Sequence, residues 1–158
     1  MQTKTQPPPT SFWQPLLADR YWAVSLLLCL LGTVNAGYLS WTKLTNTAIY
    51  CGPGGTACEA VSSSIYGYVM GIPVAYLGLG TYLVLIALLV LERRLGFLAS
   101  NGPIAVFGIT LFGVLFTGYL QYASLVMLRE VCPYCVTNAI LMLLLFVVSI
   151  VRLRRALA

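Results

Sequence analysis

The sequence predicts an all-α integral membrane protein, built as a bundle of four transmembrane helices. Of its 158 residues, 59% are hydrophobic and 8% are charged, whereas soluble domains carry about 25% charged residues. A soluble monomer of this size has too little interior for so much apolar surface, but a bilayer accommodates it. Four apolar stretches reach the length of about 20 residues that a hydrocarbon core requires. They are residues 21–40, 72–91, 103–125 and 133–151.

The first predicted span follows a polar leader, residues 1–19, which contains three consecutive prolines. Its apolar run exceeds the roughly 7 to 15 residues of a signal-peptide core, so we expect an uncleaved helix. The leader has little apolar material of its own, so we expect it to be disordered. Residues 20–155 then form a single four-helix membrane domain, with a long outer loop at 41–71.

The basic residues orient the predicted bundle, because the side richer in Lys and Arg is normally cytoplasmic. We therefore expect a multi-pass protein of the cell (inner) membrane with both termini in the cytoplasm. Basic residues divided among helix ends make no continuous patch, so no nucleic-acid partner is expected. The cytoplasmic set is Lys4, Arg20, Arg93, Arg94, Arg152, Arg154 and Arg155, and the outer set is Lys43 and Arg129.

Four of the five cysteines collect on the predicted outer side, where oxidising conditions let disulfides persist. Cys51 and Cys58 lie in the outer loop, and Cys132 and Cys135 begin the fourth span. The fifth, Cys29, lies in a Leu-rich run in the middle of the first span. We expect it to pack as a small hydrophobe and assign it no role.

The Cys132-Pro133-Tyr134-Cys135 segment has the features of a reactive dithiol. Pro133 suits the first turn of a helix, because the N–H that it lacks would be unpaired there. Both cysteines then lie at the positive end of the helix, which favours the nucleophilic thiolate and lowers the pKa of at least one thiol. Since thiol–disulfide exchange proceeds through mixed disulfides, the loop pair can pass electrons from a partner to this pair.

Other interpretations of the cysteines remain open at this point. The loop pair alone could be a structural disulfide, which is common outside the cell. Four thiolates could also bind zinc or, in a membrane metal carrier, a soft cation. The chain has no His, and six residues separate Cys51 from Cys58, which is unusual for a zinc site, so we expect no metal. Hydrolytic chemistry lacks both a His and a pair of neighbouring acids.

Two further segments accompany the cysteines, Val-Ser-Ser-Ser-Ile-Tyr-Gly at 61–67 and Gly-Ile-Pro-Val-Ala at 71–75. With Cys51 and Cys58 before them and the Cys132 to Cys135 motif after them, this ordered set resembles the vitamin K epoxide reductase family, in its bacterial disulfide-forming branch. The resemblance implies a four-helix bundle around a quinone, ubiquinone or menaquinone, with Cys132 and Cys135 beside its ring. Cys51 and Cys58 would be the shuttle pair.

The resemblance also implies a role for each cysteine. Cys51 would engage a thioredoxin-fold partner, Cys58 would attack a disulfide at Cys132, and Cys135 would face the quinone. Cyanobacterial members carry a fused thioredoxin-like domain, and we expect none here, so the partner would be a separate DsbA-like thiol oxidase. The implied function is thiol:quinone oxidation that drives disulfide formation. The alternative is the reverse reaction, reduction of a quinone or of vitamin K epoxide.

Further site residues are expected from the resemblance and from position on the helices. Ser63 or Ser64 resembles the family's loop serine. Asn138 lies three residues after Cys135, roughly on the same helical face, and intramembrane polar side chains often have a role. A helix-to-helix hydrogen bond is the alternative for Asn138. Tyr119 and Tyr122 are candidates to contact the quinone, and membrane-interface anchoring is equally consistent with their position.

Overall fold

A computed structural model describes residues 13–52 and 55–158 and confirms the all-α membrane architecture. Four long helices form the bundle, and each contains a segment apolar and long enough to cross a membrane. Helix α1 packs against α3 and α5, and α4 packs against the same two helices, which gives a ring of four. The bounds of the long helices are α1 Trp13–Thr45, α3 Val74–Arg94, α4 Gly96–Ala123 and α5 Pro133–Leu157.

The helix ends differ from the predicted span ends. Helix α1 begins at Trp13, inside the leader that we expected to be disordered, while residues 1–12 lie outside the described part of the chain. Pro15 falls in the first turn of α1, where its missing N–H costs nothing. Helix α5 continues to Leu157, beyond the predicted end at residue 151. The apolar residues mark the part of a helix that lies in the hydrocarbon core. The helix itself can continue into the polar sequence on either side, as α1 and α5 do.

The outer segment between α1 and α3 contains short ordered elements. Helix α2, Ala57–Ser63, carries Cys58, and a 3₁₀ turn at Ile65–Gly67 follows it. Strands β1, Tyr68–Val69, and β2, Ile72–Pro73, then form an antiparallel hairpin. The two residues of its turn, Met70 and Gly71, have φ of 52° and 83°, as a two-residue type I′ turn requires. The hairpin leads directly into α3. After α4 ends at Ala123, a π-helical turn, Ser124–Leu128, leads toward α5.

The centre of the bundle is packed around Tyr82, which is fully buried on α3. A Cβ atom at Gly32 of α1 would collide with the Tyr82 ring, so glycine allows these two helices to approach closely. The Tyr82 hydroxyl donates a hydrogen bond of 2.9 Å to Asn138 Oδ1 on α5. Cys29 packs in this same core cluster with no exposed surface, as expected. These contacts fix the depth and rotation of the helices beneath the outer cysteines.

At the opposite end of the bundle, an ion pair joins α3 to α5. Arg152 Nη2 donates hydrogen bonds of 2.8 and 2.7 Å to the two carboxylate oxygens of Glu92. The two side chains are only 10% and 14% exposed. On the same half of the bundle, Trp22 Nε1 donates to the Leu89 carbonyl oxygen at 2.9 Å and ties α1 to α3.

Candidate active site

Three cysteine sulfurs meet at the outer end of the bundle. Cys51 and Cys58 are joined by a disulfide, with their Cα atoms 6.1 Å apart. The Cys132 thiol lies 3.2 Å from the Cys58 sulfur, and both residues are buried. The sulfurs of all three lie within 4.8 Å of one another. Because exchange begins with attack of a thiolate on a disulfide sulfur, this contact connects the loop pair to the helix pair.

The start of α5 positions the second pair. Cys132 is the N-cap of α5 and Pro133 is its first residue, as predicted, while Cys135 is a half-buried free thiol in the first turn. A hydrogen bond from the Cys135 side chain lowers the pKa of Cys132 to about 7, and the backbone N–H groups of Cys135 and Tyr134 act in the same direction. Burial opposes this shift in pKa but does not cancel it. The lowered pKa favours the thiolate form of Cys132, which is the form that attacks disulfides.

Tyr134, which lies between the two cysteines, ties α5 to its surroundings. Its hydroxyl donates to the Tyr50 carbonyl oxygen at 3.0 Å, just before Cys51. Its carbonyl oxygen accepts a hydrogen bond of 3.2 Å from Asn35 Nδ2 of α1, and its ring lies 5.3 Å from that of Tyr38. Sequence analysis missed these contacts, since residues this far apart in the chain show no periodic relation.

The two predicted loop serines support the end of α2. Ser64 Oγ donates to the Val61 carbonyl oxygen at 2.7 Å, and Ser63 Oγ donates to the Glu59 carbonyl oxygen. Both bonds are local to the helix that carries the buried loop cysteine. The neighbouring Ser62, which sequence analysis did not select, lines the cavity described next.

A cavity of about 360 Å³ lies beside the cysteines, and Cys58, Cys132 and Cys135 all line it. Small-molecule pockets commonly measure about 300 to 1,000 Å³ and have mainly apolar walls with a few polar groups. The cavity therefore suits a mostly apolar ligand in direct reach of the helix pair. Its apolar walls include Ala36, Leu39, Leu77, Phe112, Phe116 and Leu120.

Besides Cys135, three quinone contacts are predicted on the helices, and of these only Asn138 lines the cavity. Its Oδ1 accepts the bond from Tyr82, as the helix-to-helix alternative predicted, and its Nδ2 has no hydrogen-bond partner in the described part of the chain. Tyr119 and Tyr122 do not line the cavity, and their side chains are 57% and 60% exposed. Helical rotation explains why these two tyrosines lie away from the cavity. Positions 117, 120, 121 and 124 share the cavity face at spacings of three and four, and 119 and 122 fall between them.

Lys43 is a further wall residue that sequence analysis did not select for the site. It lines the cavity, and its Nζ lies 5.7 Å from the centre of the Tyr68 ring in the hairpin. A positive charge in a low-dielectric cavity stabilises anions strongly. Lys43 thus places a positive charge on the cavity wall, beside the hairpin.

Comparisons with known proteins agree with this arrangement. Residues 23–150 match the Vitamin K epoxide reductase family, and the matched region includes the four cysteines of the site. The chain is also 34% identical over 122 residues to the thiol-disulfide oxidoreductase LTO1 of Arabidopsis thaliana. That alignment covers 74% of this chain and 32% of the relative, so this chain spans less than half of that protein's length. The chain thus belongs to the vitamin K epoxide reductase family, as a multi-pass membrane protein.

Proposed function

We propose that this protein is a membrane thiol:quinone oxidoreductase that drives disulfide formation. It reoxidises a separate DsbA-like thioredoxin-fold thiol oxidase and passes two electrons to ubiquinone or menaquinone. The observation that carries the proposal is the 3.2 Å contact between the Cys132 and Cys58 sulfurs, at the wall of an apolar cavity that Cys135 also lines. This contact links the two cysteine pairs, and Cys135 links the second pair to the cavity.

The relay consists of balanced exchange steps. The partner dithiol attacks Cys51, leaves as a disulfide, and leaves Cys51 and Cys58 as thiols. Cys58 then attacks Cys132 in the Cys132–Cys135 disulfide and releases Cys135 as a thiol. Cys51 attacks Cys58 in the resulting mixed disulfide, which restores the loop disulfide and releases Cys132. Two electrons and two protons have then reached the helix pair, and the protein has an oxidised loop pair and two free thiols on the helix side, as in this structure.

The cavity supports a quinone as the electron acceptor. Its apolar walls suit a quinone ring, and Asn138 Nδ2 is a donor available to a quinone carbonyl oxygen. Cys132 and Cys135 would give two electrons and two protons to a quinone held here and would then form a disulfide with each other.

Reduction potentials support this direction of electron flow. A DsbA-like oxidase has a potential of roughly −120 mV, so only a stronger oxidant restores its disulfide, and periplasmic oxidation passes to quinone. We infer that both cysteine pairs face the outer side, since six of the eight basic residues in the described part of the chain lie toward the other side.

The direct test of the function combines the purified protein, a reduced DsbA-like oxidase and a quinone analogue. We expect the absorbance of the quinone to fall as partner disulfides form, with equal amounts of quinol and disulfide produced. Cys29→Ser is the matched control and retains this activity, because Cys29 is buried in the core away from the relay. No quinol with either ubiquinone or menaquinone, from folded protein, would overturn the proposal. Product from a quinone epoxide but none from the partner would instead support the reverse reaction.

Replacement of Asn138 tests the quinone contact. We expect Asn138→Leu to raise the KM for quinone about 5- to 10-fold, because a hydrogen bond of this kind contributes about 1 to 1.5 kcal/mol. The kcat changes less, since the cysteines remain in place. Tyr82→Phe is the matched control, because it removes the same Tyr82–Asn138 bond and leaves the amide. Equal increases of KM in the two variants would contradict direct contact between the amide and the quinone.

A further inference from the structure

The relay sulfurs also form a compact donor group for a metal. Within the described residues, Cys51, Cys58 and Cys132 are the one set of three or more His, Cys, Asp or Glu side chains with ligand atoms gathered closely enough to bind an ion. Their sulfurs lie within 4.8 Å of one another. We infer that the reduced protein binds a single soft cation, Cu(I), through these three thiolates.

The oxidation state of the loop controls access to this site. In the structure, the disulfide occupies the sulfurs of Cys51 and Cys58 and leaves Cys132 as the free member. When a dithiol reduces the disulfide, Cys51, Cys58 and Cys132 all become free thiols, and their sulfurs are already close together. Cys58 is fully buried and Cys132 is 3% exposed, so a cation held here is shielded from water and from competing solutes. The oxidised protein offers no such set.

The composition of the site selects the kind of cation. All three donors are sulfur, and soft thiolate ligands favour soft ions over Mg²⁺, Ca²⁺ or Mn²⁺. A structural zinc site needs four tetrahedral ligands, and Cys135 lies outside the group of three. The other side chains packed against the set are apolar or aromatic, among them Leu39, Ile49 and Val61, apart from Cys135. The Cys135 thiol hydrogen-bonds to Cys132 but lies outside the group of three sulfurs. Cu(I) is satisfied by two or three thiolates, so it fits this set.

Binding of Cu(I) has a direct chemical consequence. Cu(I) displaces the protons of the three thiols, and no electrons are transferred. The sulfurs of Cys51 and Cys58 are then held as metal ligands and cannot re-form the loop disulfide. A reduced protein that has met Cu(I) is therefore blocked at the first relay step. The binding itself requires neither quinone nor partner, so the inference stands independently of the proposed function.

The test uses the full-length protein in detergent, reduced without oxygen and freed of reductant, with all five cysteines titrating as thiols. Cu(I) is supplied from a coloured Cu(I) chelator, and the loss of chelator colour reports transfer to the protein. We expect the reduced wild type to remove a single equivalent and the oxidised wild type to remove none. Cys51→Ser, Cys58→Ser and Cys132→Ser each lose this binding, whereas Cys29→Ser and Cys135→Ser retain it.

Three outcomes overturn the inference. Loss of binding in Cys135→Ser, with retention in Cys51→Ser and Cys58→Ser, would assign the cation to the helix dithiol. X-ray absorption at the copper edge of the wild type is a second measurement that needs no variant to fold, and we expect three sulfur neighbours; two would contradict the site. Quinone reduction is measured separately in the metal-free protein. Absent Cu(I) binding with intact quinone reduction would remove this inference and leave the proposed function standing.

Discussion

The Cys135→Ser variant is expected to lose quinone reduction completely and to accumulate a disulfide between Cys58 and Cys132. In the native structure the Cys132 thiol lies 3.2 Å from the Cys58 sulfur, within the loop disulfide. Attack by Cys132 on Cys58 releases Cys51 as a free thiol. Without Cys135 no disulfide can form beside the cavity, so electrons have no route to the acceptor. Peptide mapping by mass spectrometry detects the cross-link, and quinone absorbance reports the activity.

Cys132→Ser is the matched variant for this experiment. We expect it to lose quinone reduction to the same extent but to keep the Cys51–Cys58 disulfide, because no thiol then lies next to Cys58. Both variants are therefore expected to lack quinone reduction but to contain different disulfides. A general loss of folding would not produce this difference. A cross-link from Cys132 to Cys51 in the Cys135→Ser variant would contradict the proposed order of the relay, and quinone reduction at the wild-type rate would contradict the relay itself.

Local sequence was sufficient to predict the arrangement of the helix pair. Pro133 restricts the start of α5, so the N-cap position of Cys132 and the first-turn position of Cys135 follow from the chain itself. The proximity of Cys58 to Cys132 is different, because 74 positions separate them. It was expected only from the family resemblance. A helix as short as α2, seven residues, shows too little periodicity to be placed by sequence alone.

The cavity wall shows where sequence reasoning ends. Helix α4 is apolar on nearly every face, so its hydrophobic pattern does not reveal which face turns inward. Residue type suggested Tyr119 and Tyr122, whereas Gln121 and Ser124 lie on the cavity face. The rotation of α4 is set by its neighbours. A Cβ atom at Gly113 would lie 2.8 Å from Met142 Sδ of α5, so glycine lets the Met142 side chain pack directly against the backbone of α4. Contacts of this kind join residues on different helices, so they become visible only once the helices are packed together.

Removal of the Glu92 carboxylate is expected to have the largest effect on stability. Arg152 is 10% exposed, donates to both oxygens of Glu92, and has a buried Nη1 without a partner within the described residues. Breaking a buried pair leaves an uncompensated charge, which typically costs about 3–5 kcal/mol. We therefore expect Glu92→Leu to lower the free energy of unfolding by about that amount. Denaturant unfolding in detergent, followed by circular dichroism, measures the change.

The matched comparison separates the charge from the packing. The double variant Glu92→Leu/Arg152→Leu should recover most of the lost stability, because replacing both partners removes the unpaired charge and buries apolar side chains instead. Arg154 lies on the same helix as Arg152 but is exposed. Arg154→Leu is therefore the control, and it should change stability by no more than about 0.5 kcal/mol. If the double variant were as unstable as Glu92→Leu, packing of the carboxylate and not its charge would dominate. Because the pair lies at the end of α5 opposite Cys132, the remaining folded protein should keep its quinone reduction, which makes stability and electron transfer separable in this bundle.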